Sequence, residues 1–396
     1  MAAMEKNNKN LNVPHLRFPE FSGEWEKQSL GATCNVLMCK RILASQTNTE
    51  GGVPFYKIGT IGSIADAYIS RELFETYRAK YNYPRKGEVM ITCAGTVGKT
   101  MLFDGHDSYY QDSNIVWIDN PNNHIDNTFL YHFLSRVDWS RLNTTTIVRI
   151  YNDDLRQLRI SYPSKEEQKK ISDLLNLLDQ RIETQKKIIE KYESLIKGLI
   201  TDVNSGRIAQ CESIYLRDLL TEQHEKNTNN YEVFSVSVSL GVINQIDYLG
   251  RSFAAKEVLH YNVVNWGDIV YTKSPTGEFP YGIVKRSDIT KPVAVSPLYG
   301  VYRPINDCVG RYLHLYFKSP INAKNYLHKL IQKGAKNTIN ITNQRFLDNK
   351  ILIPEKGWLE KIVNFAAALE MKITTENKAL ETLQQQKDYL LSKMFI

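Results

Sequence analysis

No apolar run in this 396-residue sequence approaches the roughly 18 residues that a membrane-crossing helix needs, which excludes a helical membrane protein. Cysteine is sparse: Cys34, Cys39, Cys93, Cys211 and Cys308 form no CxxC pair and, being odd in number, no complete disulfide framework. The opening residues, MAAMEKNNKNLN, lack the apolar stretch of a secretion signal, so the expected compartment is a reducing cytoplasm. Catalytic motifs are missing as well. Gly95-Thr96-Val97-Gly98-Lys99-Thr100 ends like a phosphate-binding loop, but Cys93 stands where that loop needs its first glycine, and a strand pattern follows where it needs a helix. Asn120-Pro121-Asn122-Asn123 is not the Asn/Asp-Pro-Pro-aromatic loop of an amino-methyltransferase, and no strand-linked G-x-G-x-x-G offers a cofactor site. The histidines show no metal-ligand spacing, no carboxylate cluster resembles a metal nuclease, and no Ser or Cys sits on a nucleophile elbow. The residues themselves therefore point to a chain without catalysis, metal or cofactor of its own.

What is present is an ordinary globular composition, 42% hydrophobic and 23% charged, on a chain long enough for two or three cores. A net charge of +7 favours a polyanionic partner, although the excess is modest. The dominant signal is a heptad pattern. Ile171, Leu175, Leu178, Ile182, Gln185, Ile189, Tyr192, Ile196 and Leu199 follow one another in steps of four and three, all apolar but one. The same seam returns 191 residues later as Ile362, Ala366, Leu369, Ile373, Glu376, Leu380, Leu383, Lys387 and Leu390. Ser164 and Glu167 form an S-x-x-E capping box that predicts the start of the first long helix, and Val203-Asn204-Ser205-Gly206 ends it.

Between these helices the period shortens to that of strands, as in VPFYKIGTIG (53–62), EVMITC (88–93) and NIVWI (114–118), with one helical piece over 129–142 and a last strand in LRQLRISYP. A second strand-rich stretch repeats the order: Lys86-Gly87-Glu88-Val89 matches Trp266-Gly267-Asp268-Ile269, and 150–202 aligns with 341–393 without a gap. The predicted fold is mixed α+β. Two strand-rich α/β globules are separated by two long helices that form an intramolecular antiparallel coiled coil, a pseudo-twofold duplication. The expected boundaries are a loose arm at 1–13, globules at 14–162 and 204–353, and long helices at 163–203 and 354–396. Gln185 and Glu376 are expected to meet as a polar layer at mid-rod, or else both to face solvent. Two like globules held at a set spacing suit two half-sites on duplex DNA. A scaffold joining protein partners without reading DNA is the competing class.

Base edges and phosphates are held by Arg, Lys, Asn, Gln, Ser and Thr, and such residues gather in three paired loops. In the first globule the candidates are Lys57 and Thr60, then Thr96 and Lys99, then Thr144, Thr145, Arg149, Tyr151 and Asn152. In the second they are Ser237 and Ser239, then Lys273, Ser274 and Thr276, then Lys336, Asn337, Thr338, Asn340 and Asn343. Each taken singly has an ordinary explanation as a turn or surface residue; only the pairing of loops raises them above it.

PHLRFPEFSGEWEKQSLG (14–31), the strand-Pro-helix junctions LRISYPSKEEQKKISDLLNLLDQRIE and ILIPEKGWLEKIVNFAAALEMKI, and the globule-helix duplication together resemble the specificity subunit of a Type I restriction–modification enzyme. The resemblance covers nearly the whole chain. It departs at Glu355-Lys-Gly-Trp358, which replaces the Pro-Ser-Lys-Glu-Glu-Gln entry to the first helix. What it implies is a non-catalytic subunit in which two target recognition domains each read half of an interrupted DNA sequence. The long helices would hold two modification (methyltransferase) subunits and, through them, the restriction (translocase–nuclease) subunits. S-adenosylmethionine, ATP and Mg would belong to those partners.

Overall fold

The computed structural model describes residues 12–142, 149–251, 257–333 and 339–396. It divides into two compact units: one holds the chain to Lys186 together with Ala379–Ile396, and the other spans Lys187–Lys378.

In the first unit, strand Glu26–Ser29 pairs antiparallel with Arg159–Tyr162, which runs through Pro163 into a helix over Lys165–Asn204. The central sheet is antiparallel, ordered Asn35–Leu37, Ile115–Asp119, Val89–Thr92, Thr100–Leu102. Val89–Thr92 is apolar up to Thr92 and buried along its whole length, as a strand covered on both faces must be. Helix Asn127–Ser135 lies against it, with the Asp126 carboxylate accepting from the Thr128 and Phe129 amides at its open end. A smaller three-stranded sheet, Tyr68–Ile69, Val53–Tyr56 and Tyr109–Tyr110, closes a second core with Phe74 and Phe103.

The second unit repeats the plan. Cys211–Tyr215 pairs with Lys350–Pro354, which leads into a helix over Lys356–Met394. The central sheet is ordered Leu220–Glu222, Gly300–Pro304, Ile269–Thr272, Ile283–Arg286, under helix Asp307–Lys318. The turns entering the two central strands match bond for bond. Gly87 (φ +84°) and Gly267 (φ +86°) occupy the left-handed region that only glycine enters freely. The Glu88 and Asp268 carboxylates then accept from the amides of Arg85 and Asn265 at 2.8 and 2.9 Å.

In the first unit Ile171 and Leu175, near the start of the first long helix, share a core with Leu391, Met394 and Phe395, near the end of the second. In the second unit Ile196, Ile200 and Val203 share a core with Leu359, Ile362, Val363, Ala366 and Leu369. Start meets end and end meets start, so the two long helices pack antiparallel. The predicted seam positions Ile171, Leu175, Ile182, Ile189, Ile362 and Leu369 are buried, and Leu178, Gln185, Ile373, Glu376, Leu380 and Leu383 are half-buried on their own helices.

Two local expectations change. Ser164 accepts from the Glu167 amide at 3.5 Å, but the Glu167 carboxylate does not return to Ser164. It is 1% exposed and takes a bidentate pair from Arg17 at 2.8 and 2.7 Å, which ties residues 12–25 to the helix start. The stretch foreseen as one strand, LRQLRISYP, begins inside a short helix, Asn152–Gln157, because the Asp154 carboxylate accepts from the Tyr151 amide at 2.7 Å and caps a turn. The foreseen arm lies outside the described residues up to position 11; Asn12 is anchored by its amide to the Trp25 carbonyl at 2.5 Å.

Candidate nucleic-acid interface

Strands of an antiparallel sheet bring alternate loops to the same end, and this decides which candidate residues gather. In the first unit, Thr92 pairs with Ile115, so the loop after Thr92 and the loop before Ile115 leave the sheet side by side. The turn holding Lys57 and Thr60 joins them: the Lys99 ammonium donates to the Ile61 carbonyl at 2.5 Å, and the Ile58 side chain fills the space beside Gly95. The segment at 149–152 arrives through the Ile150 amide, which donates to the Cys93 carbonyl at 2.9 Å, and through Arg149, whose guanidinium donates to the Ser113 carbonyl at 3.3 Å.

The candidates in this cluster are not equivalent. Thr60 accepts from the Lys57 amide at 3.0 Å and shapes its own turn, while the Lys57 ammonium lies 3.0 Å from Asp66. Lys99 is a fastener between loops. Thr96 and Tyr151 are exposed, Asn152 is half-buried at the first position of its helix, and the Arg149 guanidinium lies 5.8 Å from the centre of the Tyr151 ring. Thr144 and Thr145 lie outside the described residues. Gly98 cannot carry a side chain, because the indole of Trp139 occupies the place its Cβ would take.

In the second unit the loop after Thr272 carries Lys273, Ser274 and Thr276, folded back by reciprocal bonds between the Thr276 and Phe279 backbones at 3.1 and 2.9 Å. Ser274 and Thr276 are exposed. Burial lowers the pKa of the Lys273 ammonium, with Glu222 acting against it. Glu222 also accepts from the Asn343 amide at 2.9 Å, so Lys273 and Asn343 are brought together around one carboxylate. Ser239 is exposed at the tip of the hairpin Phe234–Ser237/Gly241–Asn244, whereas Ser237 is 3% exposed and bonded within it. Asn340 pairs across from Gln332 in a short ladder; Lys336, Asn337 and Thr338 lie outside the described residues.

One loop in this cluster escapes a reading by residue type. Gln111-Asp112-Ser113-Asn114 enters the strand Ile115–Asp119 and lines a concavity of about 330 Å³ with Arg41 and Lys57. Its neighbours Arg41 and Lys57 are each paired with a carboxylate, Asp112 and Asp66, so what faces the concavity unpaired is amide and hydroxyl. The signal available in the sequence was positional: the loop precedes a strand that pairs directly with the one leading to the glycine loop.

Reactive groups are not gathered here. Burial pushes the Cys93 thiol up to about 12 and the Cys39 thiol likewise to about 12, far from thiolate at neutral pH. Among the described residues no His, Cys, Asp and Glu grouping is arranged to hold a metal ion, and no helix is long and apolar enough to cross a membrane.

Two sheet-and-helix globules, each continuing into a helix of 40 or 39 residues, define a duplicated α+β architecture. That fold is shared with solved proteins along nearly the entire chain. It is similar to the S subunit of a Type-I restriction-modification system from M. genitalium, with a TM-score of 0.59 at 16% identity over 97% of this chain and 99% of that one. It is also similar to a chain solved in work on complex assembly and conformational transition of the type I R-M system, with a TM-score of 0.50 at 13% identity over 93% and 97%. At the sequence level, 147 residues are 51% identical to a putative type I restriction enzyme specificity subunit of Haemophilus influenzae, 37% of this chain and 38% of that relative's length. Residues 22–194 match the family described as Type I restriction modification DNA specificity domain.

Proposed function

We propose that this chain is the DNA-recognition subunit of a Type I restriction–modification complex, each globule reading one half of an interrupted site. The observation that carries the proposal is the repeated end-of-sheet cluster. In both units the loop after the central strand, with its lysine and hydroxyl groups, stands beside the loop entering the neighbouring strand, on a scaffold whose entry turns match. Rigid strands with exposed donor-bearing loops are what base-edge readout requires, and lysines among them supply phosphate contacts. The family match over residues 22–194 supports the same reading for the first globule and the start of the long helix.

The chain performs no chemistry in this account. Its long helices set the gap between half-sites and offer their outer faces to two methyltransferase subunits, which recruit the restriction subunits. S-adenosylmethionine, ATP and Mg act on those partners. Footprinting of the full chain with its methyltransferase subunits, at moderate salt and with competitor DNA, tests this directly. Two protected blocks with an unprotected gap are expected. Absence of sequence-specific protection would favour an adaptor that joins proteins without reading DNA.

A further inference from the structure

The loop Gln111–Asn114 is built at a conformational cost. Ser113 holds φ +55°, the left-handed region that residues other than glycine avoid, and the Asn114 amide donates back to the Asp112 carbonyl at 2.6 Å in a tight three-residue turn. Its backbone is pinned at several points: the Gln111 amide bonds the Tyr56 carbonyl at 2.9 Å, the Asn114 carbonyl accepts from the Cys93 amide at 2.8 Å, and the Ser113 carbonyl accepts from Arg149. Of its side chains, Asp112 pairs with Arg41 and Gln111 accepts from the Ile58 amide at 3.4 Å. Among the described residues the Asn114 carboxamide has no hydrogen-bond partner, although it is half-buried on the wall of the concavity. Strain held in place by surrounding bonds, presenting an amide that does nothing for the fold, is the pattern of a functional side chain.

Strand register identifies its counterpart. Val89 pairs with Ile118 and Ile269 pairs with Tyr302, and Val89 corresponds to Ile269, so Asn114 corresponds to Leu298. Leu298 is 74% exposed in the second unit, again at the mouth of the end-of-sheet cluster. The same position thus carries an unpartnered amide in one globule and a protruding aliphatic group in the other.

We propose that this position determines specificity in both half-sites. Asn114 presents a donor and an acceptor side by side, the complement of the N6 and N7 edge of adenine, and Leu298 presents a surface for the methyl group of thymine. The inference rests on the DNA-reading role proposed above and adds which residues read and which bases they read.

The test is selection from duplexes randomised over both half-sites, using the full chain in complex with its methyltransferase subunits. The wild-type complex selects adenine at one position of one half-site. Asn114→Ala breaks no internal bond; it is expected to lower that adenine preference by roughly tenfold or more, leaving the other half-site unchanged. Asn114→Asp keeps the shape but trades a donor for an acceptor, and shifts the preference toward cytosine. Leu298→Ala weakens a thymine preference at one position of the opposite half-site. Unchanged base preferences, or a uniform loss of affinity at every position, would overturn the assignment. A wild-type complex that selects no sequence would instead sink the DNA-reading role itself, before any variant is compared.

Discussion

His132 and His314 lie on the helices that cover the two central sheets, and both are held neutral. His132 donates from Nε2 to the Asn176 side-chain oxygen at 3.1 Å, and burial lowers its pKa to about 4 against Asp179 and Asp126, which favour the charged ring. His314 accepts at Nδ1 from the Arg286 amide at 3.2 Å, and burial together with Lys285, Lys318, Arg286 and Arg311 lowers it to about 3. The unfolded chain takes up a proton at each as the pH falls through about 6.5, while the folded chain refuses it, so stability drops in that window. Urea denaturation at a series of pH values is expected to lose on the order of 2 kcal/mol per histidine by about pH 5. Replacing both by Gln flattens that loss, and an unchanged slope in the double variant would contradict the assignment. Residue type alone did not reveal which candidates are free. Ser237 is hidden because its whole strand, Phe234–Ser237, is buried, and the Lys99 ammonium is consumed by a carbonyl 38 positions away. Nothing local marks Asn114 in the sequence; its place follows only from the strand register.

At the scale of elements, the long helices were legible because a heptad sustained over about forty residues admits no other structure, and the cap at Ser164 marks where they begin. Arg17 as the partner of Glu167 was not legible, since that contact joins positions 150 apart. The helix Asn152–Gln157 is masked in the sequence by the alternation Leu158, Ile160, Tyr162 of the strand that follows it directly. If the helices act as a spacer, inserting four residues after Lys186 and four after Lys378, about one helical turn in each, changes the gap between half-sites and leaves the half-sites themselves intact. Footprints of the insertion variant measure this, and an unaltered gap would remove the spacer role.

At the scale of the molecule, the duplication is the organising fact. It was readable from the constant offset over 150–202 and 341–393, and the structure extends it to sheets whose sequences have diverged, through identical strand order and the paired glycine turns at Gly87 and Gly267. Divergence is concentrated in what each globule adds to that common sheet: a three-stranded sheet with helix Arg71–Lys80 in the first, and the hairpin Phe234–Asn244 and the two-stranded ladder Asn262–Val264/Val293–Val295 in the second. A shared frame with unlike loops is what two independent readers require. The most direct measurement is the sequence recognised after residues 24–162 are exchanged for the equivalent domain of a relative with a different target. One half of the site is expected to change to that of the donor while the other half stays as it was. A change in both halves, or in neither, would contradict the claim that each globule reads its own half.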